Sequence, residues 1–346
     1  MAGLERYLEK HVRSSDNLLL QSEKISKMEN REKIIFICSA GRSGSTLLRN
    51  ILDLHPYVSV VPELRFFDMA LSTWKRYHNL ETKKDRLLFA NNVINKFKKS
   101  KDPLWQKINF DEKELVDKIS RYDNLESIYL EILKTCGSKK EANIFVDKIG
   151  TFFISNIVKI FPQAVFIHAL RDGCEFCASA HKRGDWADSY LNIAEYWNES
   201  IKSYDYYSKM YSSGKNFYEI KYENLVADTK EEINKLFSLL GLELENDFYA
   251  KINNLKSSSS FTKNKNKSGV FVSKNFNEYF TAKEQSAINF LLKKELKNKG
   301  YEAVSGKINI LNLCKAKLHR IKLKLHFWSK RKGVFHYFYK FKKIYG

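Results

Sequence analysis

The chain has 346 residues, 43% hydrophobic and 14% aromatic, enough apolar side chain to build a core and to exclude a globally disordered polymer. No run of about 18 consecutive apolar residues occurs, so no membrane span is expected. The polar N-terminus MAGLERYLEKHVRSSDN lacks the apolar stretch of a secretory signal, and five scattered cysteines give no disulfide framework, so a cytoplasmic setting is expected.

The net charge is +20, and residues 307–346 alone carry 12 Lys or Arg and no acid. Body and tail therefore need separate readings. Residues 1–32 read as a polar lead-in. Residues 33–63 alternate: a strand over Lys33–Cys38, the small-residue turn Ala40-Gly41-Arg42-Ser43-Gly44, a helix over Thr46–Leu54, and a strand over Val58–Val61. Residues 64–142 read as charged helices forming an insertion. A short strand over Asn143–Val146 leads to a helix over Ile154–Phe161 that Pro162 stops. The continuous apolar run Ala164–Leu170 has the length and character of a central parallel strand. Helices are expected from about Gly173 and over Ile193–Tyr211, with a strand over Phe217–Lys221 between the second of these and a helix over Thr229–Leu240, which ends at Gly241. The alternation predicts an α/β fold of the P-loop type over residues 33–305, a parallel central sheet flanked by helices on both faces.

The turn carries the chemistry. A helix that begins at a glycine turn points unpaired backbone N–H groups at one spot, where the helix dipole favours an anion. ATP-binding loops follow G-x-x-x-x-G-K-[ST], with the Ser/Thr on magnesium. Here Gly41 and Gly44 are three apart and no lysine precedes Ser45 and Thr46, so a metal-dependent NTPase is poorly matched.

The segment AGRSGSTLL, residues 40–48, resembles the 5′-phosphosulfate loop of sulfotransferases that use 3′-phosphoadenosine 5′-phosphosulfate (PAPS). Its arginine is similar to the carbohydrate and tyrosylprotein branch. LRDGCEFCASAHKRG supplies Arg171 and, eight residues on, Ser179, the spacing that reads the 3′-phosphate in that family. IKYENLV, with Tyr222, resembles the tyrosine-acid motif near the adenine. VDKIG resembles the family's Asp-Lys-Thr-Pro segment, with Gly150 in place of proline. The likeness covers roughly residues 33–300.

The resemblance implies roles. Arg42, Ser43, Gly44, Ser45 and Thr46 would cradle the 5′-phosphate. Arg171, Ser179 and Tyr222 would complete the donor site, with no metal. Lys148, placed just after the strand Asn143–Val146, would steady the leaving oxygen; its plain alternative is a solvated lysine. Glu63, past the second strand, is the general-base candidate, with an N-cap or salt bridge as the alternative. His55 and His168 are rivals, read as a helix-capping and a satisfied core histidine. Cys174 and Cys177 read as thiols without metal. The basic stretch Lys263–Lys267, with Ser268-Gly269, falls where the family closes a loop over the donor.

In the tail (306–346), Leu311, Cys314, Leu318, Ile321, Leu325 and Trp328 repeat at helical spacing among lysines. A basic amphipathic helix of this kind suits an anionic membrane surface; packing on the chain's own core is the alternative, and no nucleic-acid recognition motif appears. The combined expectation is a sulfotransferase acting from PAPS on a hydroxyl acceptor, a glycan or glycolipid by branch resemblance, peripheral to a membrane. Two rivals stand beside it: a P-loop nucleotide or sugar kinase, and a non-catalytic anionic-ligand or membrane-binding protein on the same scaffold.

Overall fold

The computed structural model describes residues 32–73, 80–100, 102–108, 110–184, 189–211, 216–255 and 276–303. Most of the lead-in, the 257–269 loop and the tail lie outside the described residues.

Five strands form one sheet in which every pairing is parallel: β1 (Lys33–Cys38), β2 (Val58–Val60), β3 (Ile144–Ile149), β4 (Val165–Leu170) and β5 (Phe217–Lys221), in the order β2-β3-β1-β4-β5. The first strand is central. The chain builds outward from it on one side through β3 and β2, then on the other through β4 and β5. Such a reversal of strand order opens a crevice at the carboxyl ends of the strands.

Alternation along β1 explains why both faces are covered. Ile34, Phe36 and Cys38 enter one core, and Ile35 and Ile37 enter the other. The first core is roofed by the 64–142 segment: α2 (Phe66–Thr73), α3 (Lys83–Phe97), α4 (Glu112–Ile119) and α5 (Leu125–Thr135), joined by α6 (Ile154–Ile160). Phe36 lies between the rings of Tyr129 and Phe166, at 6.0 and 5.6 Å. The second core is closed by α1 (Ser45–Leu52), α10 (Thr229–Leu240) and α11 (Phe248–Asn253). A third cluster braces the end of β4 with α7 (Gly173–Arg183), α8 (Tyr190–Tyr211) and α13 (Ala282–Asn298). Two short helices, α9 (Tyr222–Ala227) and α12 (Phe276–Tyr279), complete the set used below.

Several sequence boundaries shift. The first helix starts at Ser45 and ends at Leu52, and the second strand ends at Val60. More consequentially, β3 continues through Ile149, so Lys148 lies inside the strand opposite Ile37, and does not follow it. The polar pair Asp147-Lys148 made the strand look finished at Val146. It continues because the Asp147 carboxylate, 1% exposed, accepts a 2.6 Å bond from the Tyr129 hydroxyl and a 2.7 Å bond from the Lys148 N–H.

Candidate active site

The loop after β1 is held open by its own backbone. Gly41, Arg42 and Gly44 have φ of 75°, 49° and 83°. The Ser39 hydroxyl accepts from Gly41 N–H at 3.0 Å, and the Ser43 hydroxyl donates to Gly41 C=O at 2.9 Å. Gly44 caps α1 without any side-chain cap bond, and the first turn of α1 has no acid. The orphan N–H groups of that turn are thus left for an external anion. Gly44 is required twice over. Its φ lies in the left-handed region, and a Cβ there would sit 2.5 Å from Tyr222 Cδ2.

Two of the three walls meet at Tyr222, where β5 runs into α9. The Arg171 guanidinium carbon stands 5.0 Å from the centroid of its ring. Arg171 Nη1 donates to the Arg42 carbonyl at 3.4 Å, and Arg42 Nε donates to the Ser179 hydroxyl at 3.1 Å. Arg42, Arg171, Ser179 and Tyr222 therefore converge, as the sequence reading expects. The support behind them escaped that reading. Trp197 Nε1 donates to the Arg171 carbonyl at 3.1 Å. Glu223 accepts from the Asp172 N–H at 3.0 Å and from the Tyr301 hydroxyl at 2.8 Å. Asp172 in turn caps α7 through the N–H groups of Cys174 and Glu175. Only Glu223 carried a signal, as the acid beside Tyr222.

The third wall is Lys148. Its Nζ lies 3.3 Å from Thr46 Oγ1 and 3.6 Å from Glu63 Oε2. Burial, with Arg49 adding to it, lowers the Lys148 pKa against the opposing carboxylates of Glu63, Asp102 and Asp147. Burial also pushes Asp147 up to about 7, against the Tyr129 bond. Glu63 itself is half exposed, with 52% of its side chain open. Its neighbour Asp102 pairs with Arg49 at 2.5 Å. Burial alone would raise Asp102, but the Arg49 guanidinium outweighs it and holds the carboxyl at about 2.

Both histidines are placed away from this chemistry. His168 is buried, its Nδ1 2.9 Å from Glu219 Oε2 and its ring stacked 4.2 Å from that of Tyr204, and burial lowers its pKa. His55 lies past the far end of α1, with Nε2 3.0 Å from the Glu243 carbonyl and Nδ1 accepting from Tyr57 N–H. Cys174 and Cys177 are buried thiols, both pushed up by burial. Among the described residues no group of three or more His, Cys, Asp or Glu is arranged to hold a metal ion.

A helix start without a side-chain cap, two guanidinium groups and an ammonium thus lie together at the carboxyl edge of a parallel sheet. The sequence profile of the sulfotransferase family matches residues 35–246, and the chain belongs to that family. Among curated relatives, protein-tyrosine sulfotransferase 1 of Danio rerio is 25% identical over 214 residues, 60% of this chain and 53% of its own length. The protein-tyrosine sulfotransferase of Drosophila melanogaster is 26% identical over 247 residues, 69% of this chain and 42% of its own length. The matches thus span about half of those relatives. Among solved structures, the sulfotransferase domain from the curacin biosynthetic pathway aligns with a TM-score of 0.49 at 15% identity, covering 79% of this chain and 99% of that one. A mouse sulfotransferase complexed with PAP aligns with a TM-score of 0.43 at 14% identity, covering 82% and 88%.

Proposed function

We propose that the chain transfers a sulfuryl group from PAPS to a hydroxyl acceptor. The observation that carries this reading is the position of the Lys148 ammonium, between the cradle hydroxyl of Thr46 and the Glu63 carboxylate. An acid-side cation and a base stand side by side at the mouth of an anion cradle. Rather than coming from the loop, as in a P-loop kinase, the ammonium comes from β3 and engages Thr46, the hydroxyl such kinases give to magnesium.

The residues present fit the donor. Uncapped N–H groups of α1 with Arg42 suit the 5′-phosphate, Arg171 and Ser179 suit the 3′-phosphate, and Tyr222 offers a flat face beside both. The bound donor supplies a sulfuryl group on a phosphate oxygen that departs. Arg42 and the α1 N–H groups bind that phosphate and offset the charge it gains. Lys148 places a proton-bearing nitrogen at the departing oxygen. Glu63 takes the proton of the acceptor hydroxyl as its oxygen attacks in line. The branch resemblance suggests a sugar hydroxyl, while the two relatives named protein-tyrosine sulfotransferases suggest a tyrosine phenol. We further propose that the tail, with its 12 cations, holds the domain at an anionic membrane surface.

The test uses labelled PAPS with a panel of tyrosine peptides and glycans. Transfer to one class is expected. Replacement Glu63→Gln should leave adenosine 3′,5′-bisphosphate binding near wild type while slowing transfer at least about 100-fold. Transfer of a γ-phosphate from ATP, with none from PAPS, would refute the proposal.

A further inference from the structure

Asp102 lies 39 residues from Glu63 in sequence, just before the 3-10 turn Pro103–Lys107 that it caps. Its carboxylate gathers donors from three segments. Arg49 Nη1 and Nη2 approach at 2.5 and 3.3 Å, the Leu104 N–H at 3.1 Å and the Glu63 N–H at 2.8 Å. The Asp102 and Arg49 side chains are each 5% exposed. The neighbouring Ser100 hydroxyl donates to the Glu63 carbonyl at 3.4 Å and accepts the Asp102 N–H at 3.3 Å. The two peptide groups that flank the Glu63 Cα are therefore held by Asp102 and Ser100.

This matters because little else aims the Glu63 side chain. It is half exposed, and its ion pair with Lys148 is long at 3.6 Å. Arg49 stands on α1, the helix whose first turn forms the cradle. The chain of contacts α1–Arg49–Asp102–Glu63 N–H thus ties the Glu63 main chain to the cradle helix through the buried Arg49 and Asp102 side chains. Lys148 and Asp147, both on β3, interact electrostatically with Glu63, and Lys148 interacts in turn with Arg49 on α1 and with Asp102. With Asp102 removed, Arg49 would be a buried cation without its carboxylate.

We propose that Asp102 is the positioning residue for the catalytic base: it grips the Glu63 main chain and ties it, through Arg49, to the donor cradle. The proposal rests on Glu63 being that base, and the experiment separates the two. Asp102→Asn, Asp102→Ala and the apolar pair Arg49→Met/Asp102→Leu are compared with Glu63→Gln in the full chain. The apolar pair removes the buried charges together, which buried ion pairs commonly tolerate.

Three readouts are taken: bisphosphate affinity, hydrogen exchange across residues 61–65, and single-turnover transfer from labelled PAPS to whichever acceptor the panel of tyrosine peptides and glycans yields. In Asp102→Ala and in the apolar pair, bisphosphate affinity should stay within about threefold, exchange at Glu63 should accelerate, and kcat should fall about 10- to 100-fold with acceptor KM little changed, the size expected for a misplaced catalytic group. Asp102→Asn keeps an oxygen for the Glu63 N–H and should recover part of the exchange protection. Unchanged exchange at Glu63 in the apolar pair, or wild-type kcat in it while Glu63→Gln is inactive, overturns the positioning role alone. Wild-type transfer by Glu63→Gln overturns the base assignment itself.

Discussion

Replacing Gly44 by alanine tests whether the cradle, Tyr222 and Arg171 form one packed unit. The backbone at Gly44 has φ of +83°, which a Cβ disfavours by about 1–2 kcal/mol. The new methyl would also stand 2.5 Å from Tyr222 Cδ2, whereas ordinary contact lies at 3.4–4 Å, so the ring must retreat by about 1 Å. Retreat is opposed by Arg171 above the ring, itself held by Trp197. Overpacking of this kind costs roughly 1–3 kcal/mol. Together the two effects give roughly 3 kcal/mol, or a Tm lower by about 6–12 °C for a domain of this size. The assay is thermal unfolding of Gly44→Ala, Tyr222→Ala and the double variant, each with and without adenosine bisphosphate. The double variant should be more stable than the sum of singles predicts by about 1–3 kcal/mol, because the clash has lost its partner while the φ strain remains. Gly44→Ala should also lose bisphosphate stabilisation, since the ring and Arg171 move together. Additive single effects, or a Tm within about 2 °C of wild type, would refute the close approach.

Three further outcomes follow from the same geometry. Arg171→Ala should weaken adenosine bisphosphate by roughly 1.5–3 kcal/mol and leave AMP nearly unaffected, read by titration of both nucleotides. Asp147, raised to about 7 in the fold from an ordinary 3.8, holds its proton more tightly folded than unfolded. Its contribution to stability is therefore greatest below about pH 4 and is lost as pH rises through about 7, so the stability of wild type relative to Asp147→Asn should decline across that window in denaturant titrations at successive pH. Deleting residues 307–346 should leave bisphosphate affinity intact and abolish the salt-sensitive binding of the full chain to anionic vesicles, measured by co-sedimentation.

Much of the fold could be read from pattern. Ile34 to Ile37 and the run ending at Leu170 are apolar on both faces, which only a doubly covered parallel strand requires. The end of the Thr229–Leu240 helix was equally plain, because Gly241 takes the left-handed cap at φ 70°. The convergence of Arg42, Arg171, Ser179 and Tyr222 was legible because they sit at fixed offsets from strand ends, where local spacing carries the information. Lys148 was placed in the wrong element, since a charged pair inside a strand is affordable only with the Tyr129 hydroxyl, 18 residues away and invisible to any local pattern. For the same reason Asp102 and Tyr301 gave no signal, and Glu223 gave one only as the acid beside Tyr222. Their role lies in contacts 39 to 78 residues apart, set by topology.

The central position of β1 has a consequence for synthesis. Lys33 pairs with Ile144, 111 residues later, and Ile35 with Val165 beyond that. At about 5–20 residues per second, the central strand of the sheet leaves the ribosome roughly 5–20 s before its first hydrogen-bonding neighbour exists. The brace of the Arg171 loop arrives later still, with Tyr301 at the far end of α13. A nascent chain stalled before β3 would present Ile34–Cys38 with both edges open, the kind of segment that pairs with copies of itself. Yield on expression should therefore respond more to chaperone supply during elongation than to the stability of the finished domain.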